Sequence, residues 1–396
     1  MTPRNHSGLL VVALALTGFS MRTAVTSVGA VLDDLQDSLH ASGGVAGVIT
    51  TLPVICFAGV GALTPRLTRS FGGHHLLVVG LVASTLGLAL RPLGSSSVWF
   101  IVASLVALSG GAVSNVLMPS LVKDHFPDRI GEMTALYTTA LAVGTTAAAG
   151  LTVPIADATG GTWRTGIGSW AIFTAVAIVP WLPTLRRDRT TGDELNRTLP
   201  MSRLLRSRTA WALTIFFAMQ SMQAYSSFGW FARFLHDHGI SSGTAGAMVA
   251  VLSAMGIPVS LVAPRVAPER LRMVVGFFGV CYLVAYVGLA VAPVGGAWVW
   301  MILVGLGSGM FPVALTLIGL RSRGPATTAA LSAFVQAIGY IVAGTGPLLF
   351  GVLFGATGSW TLPLTVLFVA LAITLVAGWP STADRYVDDE LAPSPT

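Results

Sequence analysis

Charged residues are scarce in this sequence, and acidic ones are the scarcest. Charged residues make up 10% of the 396 positions, with 16 Asp and Glu against 22 Lys and Arg, while hydrophobic residues make up 54%. The mean hydropathy of +0.78 is well above what a water-soluble domain of this length needs. The lack of charge therefore argues against a soluble globular protein and predicts one that is embedded in a lipid bilayer.

The apolar residues fall into twelve stretches, each about as long as the roughly 20 residues that cross a hydrocarbon core of about 30 Å. The stretches lie near residues 9–32, 44–64, 76–93, 98–122, 131–156, 163–185, 209–235, 243–263, 273–292, 297–320, 326–354 and 360–380. The first follows Arg4 and could be a cleavable signal peptide, but it continues past Arg22 with no small-x-small cleavage pattern. We therefore predict an all-α membrane protein with twelve transmembrane helices.

Several absences exclude classes of function. No GxxxxGK[ST] pattern occurs, so direct nucleotide-driven pumping is not expected. Cys56 and Cys281 lie in apolar stretches of different halves, so neither a disulfide framework nor a metal site follows, and no cofactor is expected. No Asp or Glu lies in the central part of a stretch, and all 7 histidines lie in loops or at span ends. An enzyme with catalytic groups at membrane depth is therefore not expected.

The same distribution disfavours proton coupling through a carboxylate inside the membrane. Anion exchange, facilitated flow or a proton carried with the substrate remain open as modes of transport. Acidic residues at span ends keep a proton route possible: Asp33, Asp34, Glu132 and Asp157.

The basic residues indicate the orientation of the chain. With a cytoplasmic N-terminus, most of the 22 Lys and Arg fall on the cytoplasmic side, so both termini are expected there. The basic residues are not gathered on one domain or interleaved with a motif that recognises nucleic acid. No nucleic acid partner is therefore expected. We predict a multi-pass membrane protein that is surrounded by the lipid bilayer.

The longest polar interval divides the predicted spans six and six. We expect an N-terminal six-helix bundle at 1–185, a basic cytoplasmic linker at 186–208, a C-terminal six-helix bundle at 209–380 and a cytoplasmic tail at 381–396. A short amphipathic helix is expected on the membrane surface near 201–205. The tail is expected to be a short disordered end with no anchor role.

The two halves are weakly alike at one offset. Ser109 and Gly110 recur as Ser308 and Gly309, 199 residues later (308 minus 109). Pro65 and Arg66 recur at the same offset as Pro264 and Arg265. This suggests two repeated bundles that rock around a central site, as in transport proteins.

One charge lies deep inside a predicted span. Arg22 is near the middle of the first stretch, with no acidic residue until Asp33. An arginine at the bilayer centre costs about 2.5 to 3.5 kcal/mol or more, so it indicates a functional site. Its guanidinium matches a planar anion, which makes an anionic substrate the simplest partner. The alternative is that Arg22 bonds backbone carbonyls and water in a bent helix. Arg91 and Arg233, near outer span ends, are expected to reach water.

Uncharged polar residues recur at helical spacing in other spans. Three pairs share a helix face at a spacing of three or four residues: Arg22 with Thr26, Gln220 with Gln223, and Gln336 with Tyr340. Asn115 lies in the fourth span and Tyr137 in the fifth. Such groups would orient a substrate in a small polar cavity. Hydrogen bonding between helices is the alternative role for each of them.

Four segments resemble a known family. They are MRTAVTSVGAVLDDL at 21–35, SNVLMPSLVKDHFPDRIGEMTALYTTAL at 114–141, GMFPVALTLIGLRS at 309–322 and ALSAFVQAIGYIVAGTGPLLFG at 330–351. On these the chain resembles the cyanate permease and 2-nitroimidazole transporter group of the major facilitator superfamily. The resemblance implies two six-helix bundles whose central site faces each side alternately. It also implies that seven residues face the cavity: Arg22, Asn115, Tyr137, Gln220, Gln223, Gln336 and Tyr340.

One segment departs from the superfamily pattern. The loop after the second span reads GALTPRLTRSFG, with Pro65 where an acidic residue is usual. In the superfamily this carboxylate makes a cytoplasmic latch, and contacts of Arg66 and Arg69 are candidates to replace it here. Details of gating in the superfamily are therefore not transferred to this chain.

With this resemblance, the expectation is a monomeric transporter of the bacterial inner (cytoplasmic) membrane. It is expected to move a small anionic or polar organic solute by alternating access, as a secondary active or facilitative transporter with Arg22 as the anion anchor. The alternative is an efflux transporter for neutral, drug-like compounds in which Arg22 is structural.

Overall fold

A computed structural model of the protein describes residues 3–29, 31–40, 43–160, 162–186 and 200–391. Every regular element in these ranges is a helix, which confirms the all-α prediction. The chain divides into two compact units: unit 1 within Met1–Asp128 and Leu136–Leu199, and unit 2 within Arg129–Ala135 and Pro200–Thr396. The predicted bundle boundaries stay predictions, and residues 187–199 of the predicted linker lie outside the described residues.

Unit 1 contains the first eight helices. They are α1 (Pro3–Ser20), α2 (Thr23–Gly29), α3 (Leu32–Ser38), α4 (Gly43–Phe71), α5 (Gly73–Leu90), α6 (Ser97–His125), α7 (Ile130–Ala158) and α8 (Trp163–Ile178). The first turns of α7 are grouped with unit 2. A 3-10 segment, Val179–Arg186, follows α8.

Unit 2 contains the remaining helices. They are α9 (Met201–Leu204), α10 (Arg208–Asp237), α11 (Ser242–Ala254), α12 (Gly256–Val262), α13 (Leu271–Val291), α14 (Ala297–Gly307), α15 (Met310–Leu320), α16 (Pro325–Thr357), α17 (Thr361–Ser381) and α18 (Val387–Leu391). The short helix α9 lies where the sequence predicted one, and its place on a membrane surface stays a prediction.

Eleven helical segments of the described chain are long and apolar enough to cross a membrane. Their outer faces are apolar: Val280, Val284 and Val287 of α13 are all exposed. The predicted seventh span, α10, is not among the eleven although it has 30 residues. Its glutamines and serines lower its hydropathy, and most of them are buried inside unit 2. The number of twelve spans and the cytoplasmic termini stay predictions.

Small residues allow neighbouring helices to approach closely. A Cβ placed on Gly80 of α5 would lie 3.3 Å from the carbonyl oxygen of Gly110 on α6. A Cβ on Gly87 would lie 2.7 Å from the carbonyl oxygen of Ala103 on the same helix. In unit 2, a Cβ on Gly309 would lie 2.5 Å from the Phe278 ring. Glycines of both Ser-Gly repeats therefore lie at tight contacts between helices.

Residues 384–390, which we call the C-terminal strap, are bonded to other parts of unit 2, so the prediction of a disordered tail was wrong for these residues. Asp384 accepts a hydrogen bond from Nη1 of Arg321 at 3.0 Å. Arg323 donates from Nε and Nη2 to the carboxylate of Asp389 at 3.0 and 2.8 Å. These charge-assisted bonds join the strap to the residues between α15 and α16.

A third carboxylate joins the strap to the start of α10. Glu390 accepts hydrogen bonds from the hydroxyls of Ser207 at 2.6 Å and Thr209 at 2.7 Å. Burial raises the pKa of the Glu390 carboxyl, but the hydrogen bonds from Ser207 and Thr209 outweigh that effect, so the pKa is lowered. A carboxylate beside the first turn of α10 also interacts favourably with the helix dipole. Sequence reasoning missed this contact because the partners are more than 180 positions apart.

Candidate functional site

Arg22 lies at an interruption of the first membrane helix. Helix α1 ends at Ser20 and α2 begins at Thr23, so Met21 and Arg22 form the turn between them. At this turn the amide of Met21 bonds the carbonyl of Gly18 at 3.3 Å, a step of three residues in place of the helical four. Irregular backbone at membrane depth is tolerated where it is buried in protein or lines a cavity. The break is therefore a suitable place for a site.

Hydroxyl groups bond to the backbone on both sides of the break. Ser20 donates to the carbonyl of Thr17 at 3.0 Å, and Thr23 donates to that of Ser20 at 3.0 Å. Thr26, a predicted site residue, donates its hydroxyl to the carbonyl of Arg22 at 3.2 Å. Serine and threonine hydroxyls that bond back to helix carbonyls in this way are often found where helices bend. The hydroxyl bonds help to fix the backbone conformation at the turn that contains Arg22.

Two neighbouring helices bring further predicted residues of unit 1 to this break. A Cβ on Gly111 of α6 would lie 3.0 Å from the carbonyl oxygen of Met21. Asn115 is one turn beyond Gly111 on the same helix face. On the other side, Gly18 lies directly against the backbone of Tyr137 on α7. Asn115 and Tyr137 are both buried. The structure thus places them on helices that contact the residues next to the break.

The functional groups in this part of unit 1 suit a small polar solute. A guanidinium offers five donors in a planar fork, an amide offers both donors and acceptors, and a phenol can do either. Arg22 is half-buried, so its head group is shielded from solvent without being fully enclosed. Hydrogen bonds to an ionised group are stronger in such surroundings than in water. The set can therefore hold a planar anion or a polar ring.

Arg91 is buried, contrary to the prediction that it reaches water. Its exposed fraction is 1%. Nη1 donates to the carbonyl oxygen of Ala24 at 2.7 Å, and Nε donates to the hydroxyl of Ser104 at 3.0 Å. The guanidinium carbon also lies 5.4 Å from the centre of the Phe100 ring. The sequence shows a charge at the end of a span but not these partners. Arg233 is 59% exposed, as expected.

In unit 2, the two predicted glutamines of α10 differ in their bonding. Gln223 donates from Nε2 to the hydroxyl of Thr374 on α17 at 2.9 Å, and its Oε1 accepts from the hydroxyl of Tyr286 on α13 at 3.1 Å. Gln220 donates to the hydroxyl of Ser221 at 2.6 Å, while its buried Oε1 has no hydrogen-bond partner among the described residues. Gln223 thus ties three helices together, and Gln220 retains an acceptor that a ligand can use.

The remaining two predicted residues lie on α16, which packs along α10. The ring of Tyr340 meets the ring of Phe217 edge to face, with centroids 5.1 Å apart. Tyr340 also lies 6.3 Å from the ring of Tyr225. Gln336, one turn before Tyr340, donates from Nε2 to the hydroxyl of Ser332 at 2.8 Å. This part of unit 2 therefore combines aromatic faces with buried amide groups.

Comparison with known proteins agrees with this architecture. Residues 14–347 match the Major Facilitator Superfamily. The uncharacterized transporter YycB of Bacillus subtilis (strain 168) is 36% identical over 385 residues, covering 96% of this chain and 94% of the relative. The 2-nitroimidazole transporter of Escherichia coli (strain K12) is 29% identical, covering 96% of both chains. The cyanate transport protein CynX of the same organism is 28% identical, covering 89% and 91%.

Solved structures share the fold at low sequence identity. The proton:xylose symporter XylE aligns with a TM-score of 0.77 at 11% identity, covering 96% of this chain and 95% of that one. FucP in the outward conformation aligns with a TM-score of 0.74 at 14% identity, covering 94% and 99%. The family resemblance seen in the sequence is confirmed, and the family consists of transporters and not enzymes. The chain belongs to the Major Facilitator Superfamily and is a membrane transporter similar to the 2-nitroimidazole and cyanate transporters.

Proposed function

We propose that the protein moves a small anionic or polar organic solute across the bacterial inner membrane by alternating access, as a secondary active or facilitative transporter with Arg22 as its anion anchor. The observation that carries the proposal is the position of Arg22 at the break between α1 and α2. Discontinuous membrane helices commonly form the substrate sites of secondary transporters. An anion can approach an arginine at such a break more easily than one on a continuous helix.

The neighbours of the break support a solute of modest size. Asn115 and Tyr137 are buried on the two helices that contact α1 beside Arg22. An amide and a phenol can orient a polar group once the guanidinium has bound the charge. We propose that Asn115 and Tyr137 give orientation and that Arg22 gives most of the affinity. Thr26 has a lesser role, because its hydroxyl already donates to the backbone.

The residues proposed in unit 2 divide by their bonding. Gln220, Gln336 and Tyr340 are proposed to contact the solute, with Tyr340 presenting an aromatic face beside Tyr225. Gln223 is proposed to position α10, since its amide oxygen and nitrogen are bonded to other helices of unit 2. Gln220 is the stronger candidate of the two glutamines because its oxygen needs a donor.

The names of two relatives agree with a small polar solute. Cyanate is a small anion, and 2-nitroimidazole is a small polar ring. The second name also suits the transport of neutral drug-like compounds. The alternative proposal is therefore an exporter of such compounds in which Arg22 is a structural residue. The aromatic contacts of Phe217, Tyr225 and Tyr340 in unit 2 suit a flat ring. The two alternatives differ in how strongly transport depends on the charge of Arg22.

Uptake into proteoliposomes separates these alternatives. The panel contains small carboxylates, cyanate and neutral nitroimidazoles, tested on the wild type, Arg22→Lys and Arg22→Ala. An anion anchor predicts that Arg22→Ala lowers anion uptake about tenfold to 100-fold, since a hydrogen bond to a charged group is worth about 1.5 to 3 kcal/mol. Arg22→Lys should keep part of it. Arg233→Ala, at an exposed arginine, is the matched control. Undiminished anion uptake by Arg22→Ala would contradict the anchor and favour the export of neutral compounds.

A further inference from the structure

Two histidines that are far apart in the sequence meet at one end of unit 1. His74 lies in the first turn of α5, and His125 is the last residue of α6. Their Nε2 atoms are 2.8 Å apart. Both side chains are almost fully buried, His74 with a residue exposure of 1% and His125 with a side-chain exposure of 2%. Neither histidine belongs to the proposed solute site.

A carboxylate completes a set of three possible metal ligands. An oxygen of Asp124 lies 3.7 Å from Nε2 of His125, and its side chain is 20% exposed. One ligand atom from each of His74, Asp124 and His125 lies within 4.8 Å of the other two. We propose that these three residues bind a divalent transition-metal ion such as Zn²⁺. The ion would fasten the beginning of α5 to the end of α6.

The distances fit such an ion after a small adjustment. Zinc binds histidine nitrogen and carboxylate oxygen at about 2.0 to 2.2 Å, so two nitrogens on a tetrahedral ion lie about 3.3 Å apart. The two Nε2 atoms therefore have to separate by about 0.5 Å. Both residues are at helix ends, where a side chain can move by that amount more easily than in the middle of a helix. Water can occupy the fourth position, because Asp124 is partly exposed.

Neutral tautomers of the two imidazoles can also present ligand atoms to a metal ion. A hydrogen bond between two Nε2 atoms needs one protonated and one unprotonated nitrogen. A neutral ring that donates from Nε2 can move this proton to Nδ1, and both Nε2 atoms then present a lone pair. Two neutral imidazoles and one carboxylate carry a single negative charge, which favours a divalent cation. Imidazole ligands select zinc, copper, nickel or iron over magnesium and calcium.

The surroundings of the pair restrict how its rings can move. The ring of Trp181 lies 6.2 Å from that of His74, and Phe126 lies 6.4 Å from that of His125. Trp181 is itself fixed, because its indole nitrogen donates to the hydroxyl of Thr17 at 2.9 Å. Apolar rings around a metal site limit the access of solvent to it. The pair is therefore more constrained than two surface histidines would be.

Titration with Co²⁺ tests the proposal, because cobalt bound to nitrogen and oxygen ligands absorbs visible light. The full chain is purified without a polyhistidine tag and treated with a chelator, and Zn²⁺ is then used to displace the cobalt. The wild type should bind one equivalent and melt at a higher temperature with Zn²⁺. His74→Asn and His125→Asn should each weaken binding at least about 100-fold. The control His75→Asn removes the adjacent histidine and should bind like the wild type.

Two outcomes would overturn the proposal. One is the absence of saturable binding by the wild type up to about 1 mM Co²⁺ or Zn²⁺, a concentration at which a built site is filled. The other is binding by His74→Asn and His125→Asn that equals the wild type. If either variant does not fold, X-ray absorption of the zinc-loaded wild type decides. Two imidazole ligands per zinc ion support the site, and one or none contradicts it.

Discussion

Nη1 of Arg91 donates a hydrogen bond to the backbone carbonyl oxygen of Ala24 at 2.7 Å. Ala24 is two positions beyond Arg22 and belongs to the first turn of α2. A buried guanidinium from the end of α5 thus holds the backbone just after the break. Arg91 therefore fixes the segment that follows Arg22, which gives Arg91 a structural role.

Replacing Arg91 is expected to destabilise unit 1. Arg91→Met removes two hydrogen bonds that the charged guanidinium donates. The Ala24 carbonyl and the Ser104 hydroxyl then lose this donor. A loss of about 1 to 3 kcal/mol is expected from such an unsatisfied buried group. The melting temperature in detergent should fall, whereas Arg233→Met at an exposed position should leave it unchanged. Equal melting of both variants would show that the buried contacts contribute nothing.

The close contact of α1 with α7 is expected to depend on glycine at specific positions. Gly144 lies directly against the carbonyl of Phe19, so Gly144→Ala forces the two helices apart. Gly150 lies on the same helix, and a Cβ added there would have nothing within 4 Å, so Gly150→Ala is the matched control. We expect lower thermal stability and weaker transport for Gly144→Ala alone. A functional Gly144→Ala protein with wild-type melting would refute the tight contact beside Arg22.

The two glutamines of α10 should respond differently to the same substitution. Gln223→Leu removes the acceptor of the Tyr286 hydroxyl and the donor to Thr374, so it should lower stability by about 1 to 3 kcal/mol. Gln220→Leu removes a buried oxygen that has no donor among the described residues, so it should leave stability unchanged or raise it. Solute uptake should nevertheless fall in Gln220→Leu. Thermal melting together with uptake checks both expectations, and the reverse order of stabilities would contradict them.

The C-terminal strap is expected to loosen at acid pH. The hydrogen bond from Arg323 lowers the pKa of the Asp389 carboxyl, and the pKa of Glu390 is lowered as well. Because both folded-state values lie below the ordinary ones, the stabilisation is complete above about pH 4 to 5 and is lost as the pH falls through the folded values. Hydrogen exchange of the Val387 amide, which bonds the Arg321 carbonyl at 2.9 Å, measures this change.

A variant can mimic this loss at neutral pH. Glu390→Gln removes the charge that accepts from Ser207 and Thr209, and it should speed exchange in the strap at pH 7. Glu269→Gln, at an exposed carboxyl elsewhere in unit 2, is the control. Exchange in Glu390→Gln that equals the control would show that the strap does not depend on this carboxylate.

Composition and apolar spacing were enough to predict the helical membrane fold, because spans must be long and apolar regardless of their partners. They also identified Arg22, because its position near the middle of the first apolar stretch can be seen without knowing its neighbours in the fold. The same reasoning could not identify the bonding of Gln223. Its partners Thr374 and Tyr286 come from other helices and are 151 and 63 positions away. A glutamine in a span gives the same pattern whether it binds a solute or another helix.

The sequence was least informative at the ends of helices. Arg91 looked able to reach water because it ends a span, yet the chain turns it inward to partners 67 and 13 positions away. His74 and His125 looked like separate loop residues, but α5 and α6 bring them together. The strap was predicted to be part of a short disordered end. In each case the bonding partner lies on another element, so the local sequence pattern could not predict it.

The most direct test of the account is thermal melting of purified wild type and Arg22→Ala against a panel of small anions and matched neutral analogues. A ligand that binds the folded state and not the unfolded one stabilises it by RT ln(1 + [L]/Kd), so the melting temperature rises with the ligand's concentration and affinity. If Arg22 anchors an anion, at least one small anion stabilises the wild type, and this shift in melting temperature disappears in Arg22→Ala. Neutral compounds that stabilise both proteins equally, with no effect of any anion, would contradict the anchor and make Arg22 a structural residue.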